Sequence, residues 1–177
     1  MQIYDLLKQD HEEVRGMLKE LLALKDDDEY RFVLIEEIKN ALIPHARAEE
    51  SVFYNTIRAV DADKSITAHA YKEHMEAETY LRTLQVKDKV NADWRSTAQK
   101  LFDSLEHHIQ EEETTIFDEA KNIFTKEEAE MMGEAFEKLK PSYEGDGLVK
   151  NTVDMVVNML PPRLADKIRN IGSSSQS

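Results

Sequence analysis

Four histidines in this sequence stand where an amphipathic helix should carry core residues: His11, His45, His74 and His108. Three of them are followed four residues later by an acid, giving the pairs His45–Glu49, His74–Glu78 and His108–Glu112. Residues four apart on a helix differ by roughly 40° in direction and about 6 Å in height, so each pair can reach one small site from one face. A buried carboxylate without a partner costs several kcal/mol or takes up a proton instead. Three of them meeting in one core repel each other. Divalent or trivalent cations resolve both difficulties. Four imidazoles and three carboxylates are too many donors for one tetrahedral zinc. They suit two metals that share carboxylate bridges and keep room for water or a small ligand. Iron fits this nitrogen and oxygen set best, manganese next, zinc less well. One seam histidine alone is more often a hydrogen-bonded core residue, and one His/Glu pair is a weak sign; recurrence on every long helix carries the reading.

The elements that must position these residues are helices, because the apolar pattern has a helical period almost everywhere and no useful stretch alternates as a strand does. The first helix spans about residues 2–24, with a seam of Tyr4, Leu7, His11, Val14, Leu18 and Leu21. The second runs from about Glu29 to Val60, with Pro44 expected to kink it; its seam reads Ile35, Ile38, Leu42, His45, Glu49, then Val52 or Phe53. The third, capped within residues 61–65, carries Tyr71, His74, Glu78 and Leu81 to about Val86. The fourth opens at residues 90–93 and runs to about Ile123 through Trp94, Ala98, Leu101, Leu105, His108, Glu112 and Ile116. Thr125 and Glu128 form a capping-box pattern for a fifth helix that stops before Pro141. Long helices with short links predict an all-α, up-and-down four-helix bundle with additional C-terminal helices. The expected organisation is a bundle over residues 1–123, a helical extension packed on it over 124–170 and broken at Pro161–Pro162, and a disordered tail over 171–177.

Other polar residues fall outside the seam. His69 lies about 140° around its helix from His74, and His107 is one residue's rotation from His108, so both are expected to face solvent. Glu50, Glu73, Glu111 and Glu113 flank the ligand candidates, where they face solvent or accept from imidazole N–H groups. Glu113 is the substitute should Glu112 point away.

Bulk composition narrows the function further. The chain has 177 residues, 41% hydrophobic and 33% charged, with five Gly and four Pro, as one soluble helical domain would. A net charge of −13 makes nucleic acid and anionic lipid poor partners on electrostatic grounds. With no cysteine, thiol catalysis, disulfides and iron–sulfur clusters are excluded, and any metal must be held by nitrogen and oxygen. The first residues lack the basic flank and apolar run of a signal peptide, and no segment has the length of a membrane span, so a cytoplasmic location is expected.

With this ligand set assembled, the chain resembles the hemerythrin-like (HHE cation-binding) family. The matching stretches are KQDHEEV (8–14), IPHARAEESVFY (43–54), YKEHMEAE (71–78) and LEHHIQEEETTIF (105–117), in the family's order. The resemblance implies two non-haem iron ions, oxo- or hydroxo-bridged. His11 and His45 would hold one iron and His74 and His108 the other, with Glu49 and Glu112 as bridges. Oxygen-carrying members have a histidine where this chain has Glu78; a carboxylate ligand there adds negative charge and favours Fe(III). Reduction of O₂ or peroxide, redox sensing or iron handling is therefore expected over reversible O₂ carriage, with O₂, peroxide or nitric oxide as the small ligand. Leu7, Leu42, Leu105 and Ile109 are expected to line its apolar pocket. Alternatives are an iron or oxygen sensor with its output in residues 148–170, and iron storage. That segment could otherwise cover the bundle or form a homodimer contact. Ferritin-like oxidases need Glu-x-x-His pairs, which are absent here.

Overall fold

The computed structural model describes residues 1–60, 65–87, 93–144 and 152–174. Four long helices make the bundle: α1 (Ile3–Ala23), α2 (Tyr30–Glu49), α4 (Ser65–Lys87) and α5 (Trp94–Glu111). α1 packs on α2, α2 on α4 and α4 on α5, and α5 returns to α1, closing a ring of neighbours. There is no strand among the described residues. None of their helices is long and apolar enough to cross a membrane.

Local chemistry sets the ends. Asp93 caps α5, its Oδ1 accepting from the Ser96 N–H at 3.2 Å. The chain continues past α2 and α5 through two five-residue π turns, Glu50–Tyr54 and Glu112–Ile116, into α3 (Asn55–Val60) and α6 (Phe117–Ile123). Each π turn begins at or just after the acid of a His/Glu pair, and such wide turns inside α-helices are frequent at functional sites. Pro44 lies within α2, whose α-helical hydrogen bonding persists to Glu49, so the departure from α geometry comes at Glu50 and not at the proline. The expected caps at residues 61–64 lie outside the described residues.

The core is split in two by a polar layer. One apolar cluster holds Leu7, Val52, Phe53, Ala70, Ile116 and Phe117; the other holds Val14, Leu42, Ala77, Leu81, Leu101 and Leu105. On each helix a histidine falls between the two, as His11 does between Leu7 and Val14. A fully buried Leu or Phe contributes about 1.5–3 kcal/mol, so clusters of this size can carry a layer that costs several kcal/mol when metal-free.

The C-terminal extension packs on one end of this arrangement. α7 (Lys126–Leu139) opens with the expected capping box, Thr125 Oγ1 accepting from Glu128 N–H while Glu128 Oε2 accepts from Thr125 N–H. It lies so close to α1 that a Cβ on Gly133 would stand 2.4 Å from the Met1 carbonyl oxygen. A short 3₁₀ turn, Lys140–Tyr143, follows. α8 (Thr152–Met159) packs on α7 and the first π turn, and α9 (Pro162–Ser174) on α3. The break between them falls at Pro161–Pro162, as read from the sequence. α9 continues to Ser174, so part of the stretch expected as a disordered tail is helical, because Pro162 opens a helix that nothing stops at Asn170.

Candidate metal centre

The polar layer brings His11, His45, Glu49, His74, His108 and Glu112 together, all buried and both acids fully so. Their rings pair: His11 and His45 lie 5.0 Å apart between centroids, His74 and His108 4.6 Å. The two acids run across these pairs. Glu49 Oε2 is 3.6 Å from His45 Nε2 and 3.3 Å from His74 Nε2. Glu112 Oε2 is 3.3 Å from His11 Nε2 and 4.0 Å from His108 Nε2. Each carboxylate thus spans one imidazole from each pair, the placement a bridging ligand needs.

Outside this layer, a ring of acids holds the imidazoles. His45 Nδ1–H donates to Asp10 Oδ2 at 2.9 Å, His74 to Glu50 Oε1 at 3.0 Å, His108 to Glu73 Oε2 at 2.9 Å and His11 to Glu113 Oε1 at 2.9 Å. Each acid is adjacent in sequence to a layer residue on its own helix and accepts from the histidine of the next helix, so the ring closes on itself. A proton fixed on Nδ1 leaves Nε2 as a lone pair facing inward, the tautomer that ligates metals. Sequence reading assigned such a role to Glu50, Glu73 and Glu113 in general terms and missed Asp10. Its only sign was an acid directly beside a seam histidine.

The centre of the layer therefore holds acceptors facing acceptors. His11 Nε2, both Glu49 oxygens and Glu112 Oε2 are buried with no hydrogen-bond partner. Burial and the neighbouring Glu112 push the Glu49 carboxyl well above its usual range. Burial also opposes ionisation of Glu112, but the neighbouring Glu49 carboxyl and the His11 and His108 imidazoles outweigh it and hold that acid below the ordinary range. His11, despite burial, is raised to about 9 by Glu112 and Glu113. Burial lowers His45 to about 4. The metal-free layer thus compensates its excess of acceptors with retained protons. These orphaned atoms and the all-N,O donor set fit cations placed between them.

Glu78 is not brought to this layer. Its Oε2 accepts from Arg47 Nη2 at 2.6 Å, and its Oε1 from Arg82 Nε at 3.0 Å. The expected seventh carboxylate therefore adds no charge at the centre here, because the Arg47 and Arg82 guanidinium groups already compensate Glu78. Glu112 points inward, so Glu113 is not needed in its place. His69 and His107 are exposed at 47% and 71%, as expected, though they are not isolated from other polar groups. Tyr54, which sequence reading left unassigned, is fully buried and donates its hydroxyl to Glu112 Oε1 at 3.1 Å.

Beside the histidines is a cavity of about 20 Å³, room for a water-sized molecule, walled by Val14, Leu42, Ala77, Leu105 and Ile109 with Arg47 and Glu78 at its edge. Leu42, Leu105 and Ile109 were expected there. Leu7 does not line it and packs instead in the apolar cluster on the other side of the layer. The extension also reaches the centre: Lys140 Nζ donates to Asp10 Oδ2 at 2.7 Å, and the Phe136 ring meets His45 edge-on at 5.8 Å.

Comparison with known proteins bears on this arrangement. The family model for the hemerythrin HHE cation binding domain matches residues 2–120. A DNA nickase from Nostoc sp. is 26% identical over 140 residues, covering 79% of this chain and 39% of the relative, so the chain spans well under half of that protein. The charge-based expectation against nucleic acid gains no support from a relative of that name. The crystal structure of a hemerythrin HHE cation binding domain-containing protein from Mycobacterium kansasii is similar in fold, with a TM-score of 0.71 at 24% identity, covering 90% of this chain and 99% of that one.

Proposed function

The chain belongs to the hemerythrin HHE cation-binding domain family, and from that premise we propose that its polar layer holds two non-haem iron ions. His11 and His45 would bind one and His74 and His108 the other, with Glu49 and Glu112 shared between them. The observation that carries this reading is Glu49, wholly buried with neither carboxylate oxygen hydrogen-bonded. Iron would supply electron transfer to O₂, peroxide or nitric oxide. The residues of the chain supply the rest. Asp10, Glu50, Glu73 and Glu113 orient the imidazoles and make them more basic, which favours the oxidised metal. That supports reduction of O₂ or peroxide over reversible carriage, on a different ground from Glu78. The small cavity beside the histidines, walled largely by apolar side chains, would be the place for such a ligand.

Metal analysis of the purified protein and anaerobic Fe(II) titration test this. Two irons per chain are expected in the interior layer of the wild type, and both are lost in Glu49→Ala. A folded wild-type chain that takes up no iron would overturn it. A second reading, a sensor, is favoured by the contacts of Lys140 and Phe136 with Asp10 and His45, which tie the extension to the centre. Repeated turnover with a reductant supports the catalyst. A single oxidation that changes protease sensitivity near residues 139–144 supports the sensor.

A further inference from the structure

α4 and α5 carry a second set of His/Glu pairs beside the layer, with both imidazoles exposed, Glu111 half-buried and Glu73 buried. His69 and Glu73 are four apart on α4, and His107 and Glu111 four apart on α5. On α5 the second pair is the first displaced by one residue, about 100° around the helix, so one strip of sequence serves both an inward and an outward face. We propose that His69, Glu73, His107 and Glu111 form a separate, solvent-open site for one divalent first-row transition ion of the zinc or ferrous type. The proposal does not rest on the iron content of the interior layer.

Geometry carries it. One ligand atom from each of the four residues lies within 4.8 Å of all the others. His69 Nε2 stands 3.4 Å from Glu73 Oε1 and 3.5 Å from Glu111 Oε2; His107 Nε2 stands 3.6 Å and 4.0 Å from the same two atoms. These gaps exceed the usual N–H···O distance of about 2.9 Å. A tetrahedral ion with bonds of about 2.0–2.1 Å sets its ligands about 3.3 Å apart, so a small inward movement closes the shell. Two imidazoles select a borderline transition ion over magnesium or calcium, which prefer all-oxygen shells. Grooves on either side add the carboxylates of Glu119, Glu76 and Asp103, against Lys100 alone among their described lining residues. This charge favours capture of a cation from solution.

Glu73 links the outer set to the inner one. Its Oε1 faces His69 and His107, while its Oε2 accepts from His108 Nδ1. An ion outside therefore draws on the same carboxylate that orients a histidine of the interior layer. Occupancy of the outer site reaches the interior through one side chain.

The test is calorimetric titration of the isolated 177-residue chain with Zn(II), its interior metals left in place, comparing wild type with the double variant His69→Ala/His107→Ala. Both histidines are exposed, so alanine removes no core contact, and circular dichroism checks the fold. One further equivalent is expected in the wild type and is lost in the variant. Titration with Co(II) should give the intense visible band of a tetrahedral ion in the wild type alone. Equal Zn(II) stoichiometry in the two proteins, or no further equivalent in the wild type, would overturn the proposal. Glu49→Ala, which addresses the interior reading, should keep the outer equivalent, so failure of one reading is distinguishable from failure of the other.

Discussion

Two clusters built from the same residues, at the same spacing and partly on the same helices, end in opposite environments. The interior layer has its acids fully buried, every imidazole clamped by an outer carboxylate, and orphaned acceptors at its centre. The surface cluster has imidazoles 47% and 71% exposed, with solvent free to satisfy what the protein leaves open. A His/Glu pair four apart is therefore a latent donor set only. Burial makes an absent cation costly, and the outer carboxylates make the geometry permanent. The interior set should be a structural requirement of the fold, and the surface set an accessory to it.

The sharpest test of that contrast is removal of metal. Chelation should lower the stability of the whole chain by several kcal/mol, since a ligand at a thousand times its Kd contributes about 4 kcal/mol. His69→Ala/His107→Ala should show the same loss on chelation, measured by thermal or denaturant unfolding. A loss confined to chains with an intact surface cluster would reverse the assignment of roles.

Next in size is the pH dependence of the metal-free chain. His11, raised from 6.5 to about 9, adds stability that is complete below about pH 6.5 and gone above about 9. Glu49, also raised, acts in the same direction as the pH climbs. His45, lowered to about 4, opposes this only up to about pH 6.5, so denaturant unfolding should show a loss of roughly 2–3 kcal/mol between pH 7 and 10 in the metal-free protein. Loaded protein, whose imidazoles are neutral ligands throughout, should show a much flatter profile over that range.

A smaller effect separates clamped from unclamped imidazoles. Asp10→Asn keeps a hydrogen-bond acceptor beside His45 but removes its charge and the Lys140 ion pair; interior metal affinity should fall about 10–100-fold, as loss of such outer partners does. Competition with a metallochromic chelator measures it, and an unchanged affinity would mean the ring orients nothing. Smallest of all is Glu78→His. With Glu78 already held by Arg47 and Arg82, interior metal stoichiometry should not change, as metal analysis would show.

Much of this was legible from periodicity. The helices and the convergence of six side chains on one layer follow from a stripe that steps three and four residues, and the capping box of α7 from Thr125 and Glu128. What periodicity cannot give is azimuth between helices. Glu78 has the same spacing from its histidine as Glu49 and Glu112, yet Arg47 on the neighbouring helix captures it. Asp10 looked like a surface acid until α2 set His45 beside it. The uncertainty between Val52 and Phe53 on the second seam has a physical source as well. The π turn after Glu49 widens the helix by one residue and buries both.

The closed circuit of acids has a mechanical meaning. Because every helix steadies the imidazole of its neighbour, and the last steadies the first, no helix can settle into place independently of the other three. A half-supplied population should then divide into full and empty molecules, with few carrying a single ion.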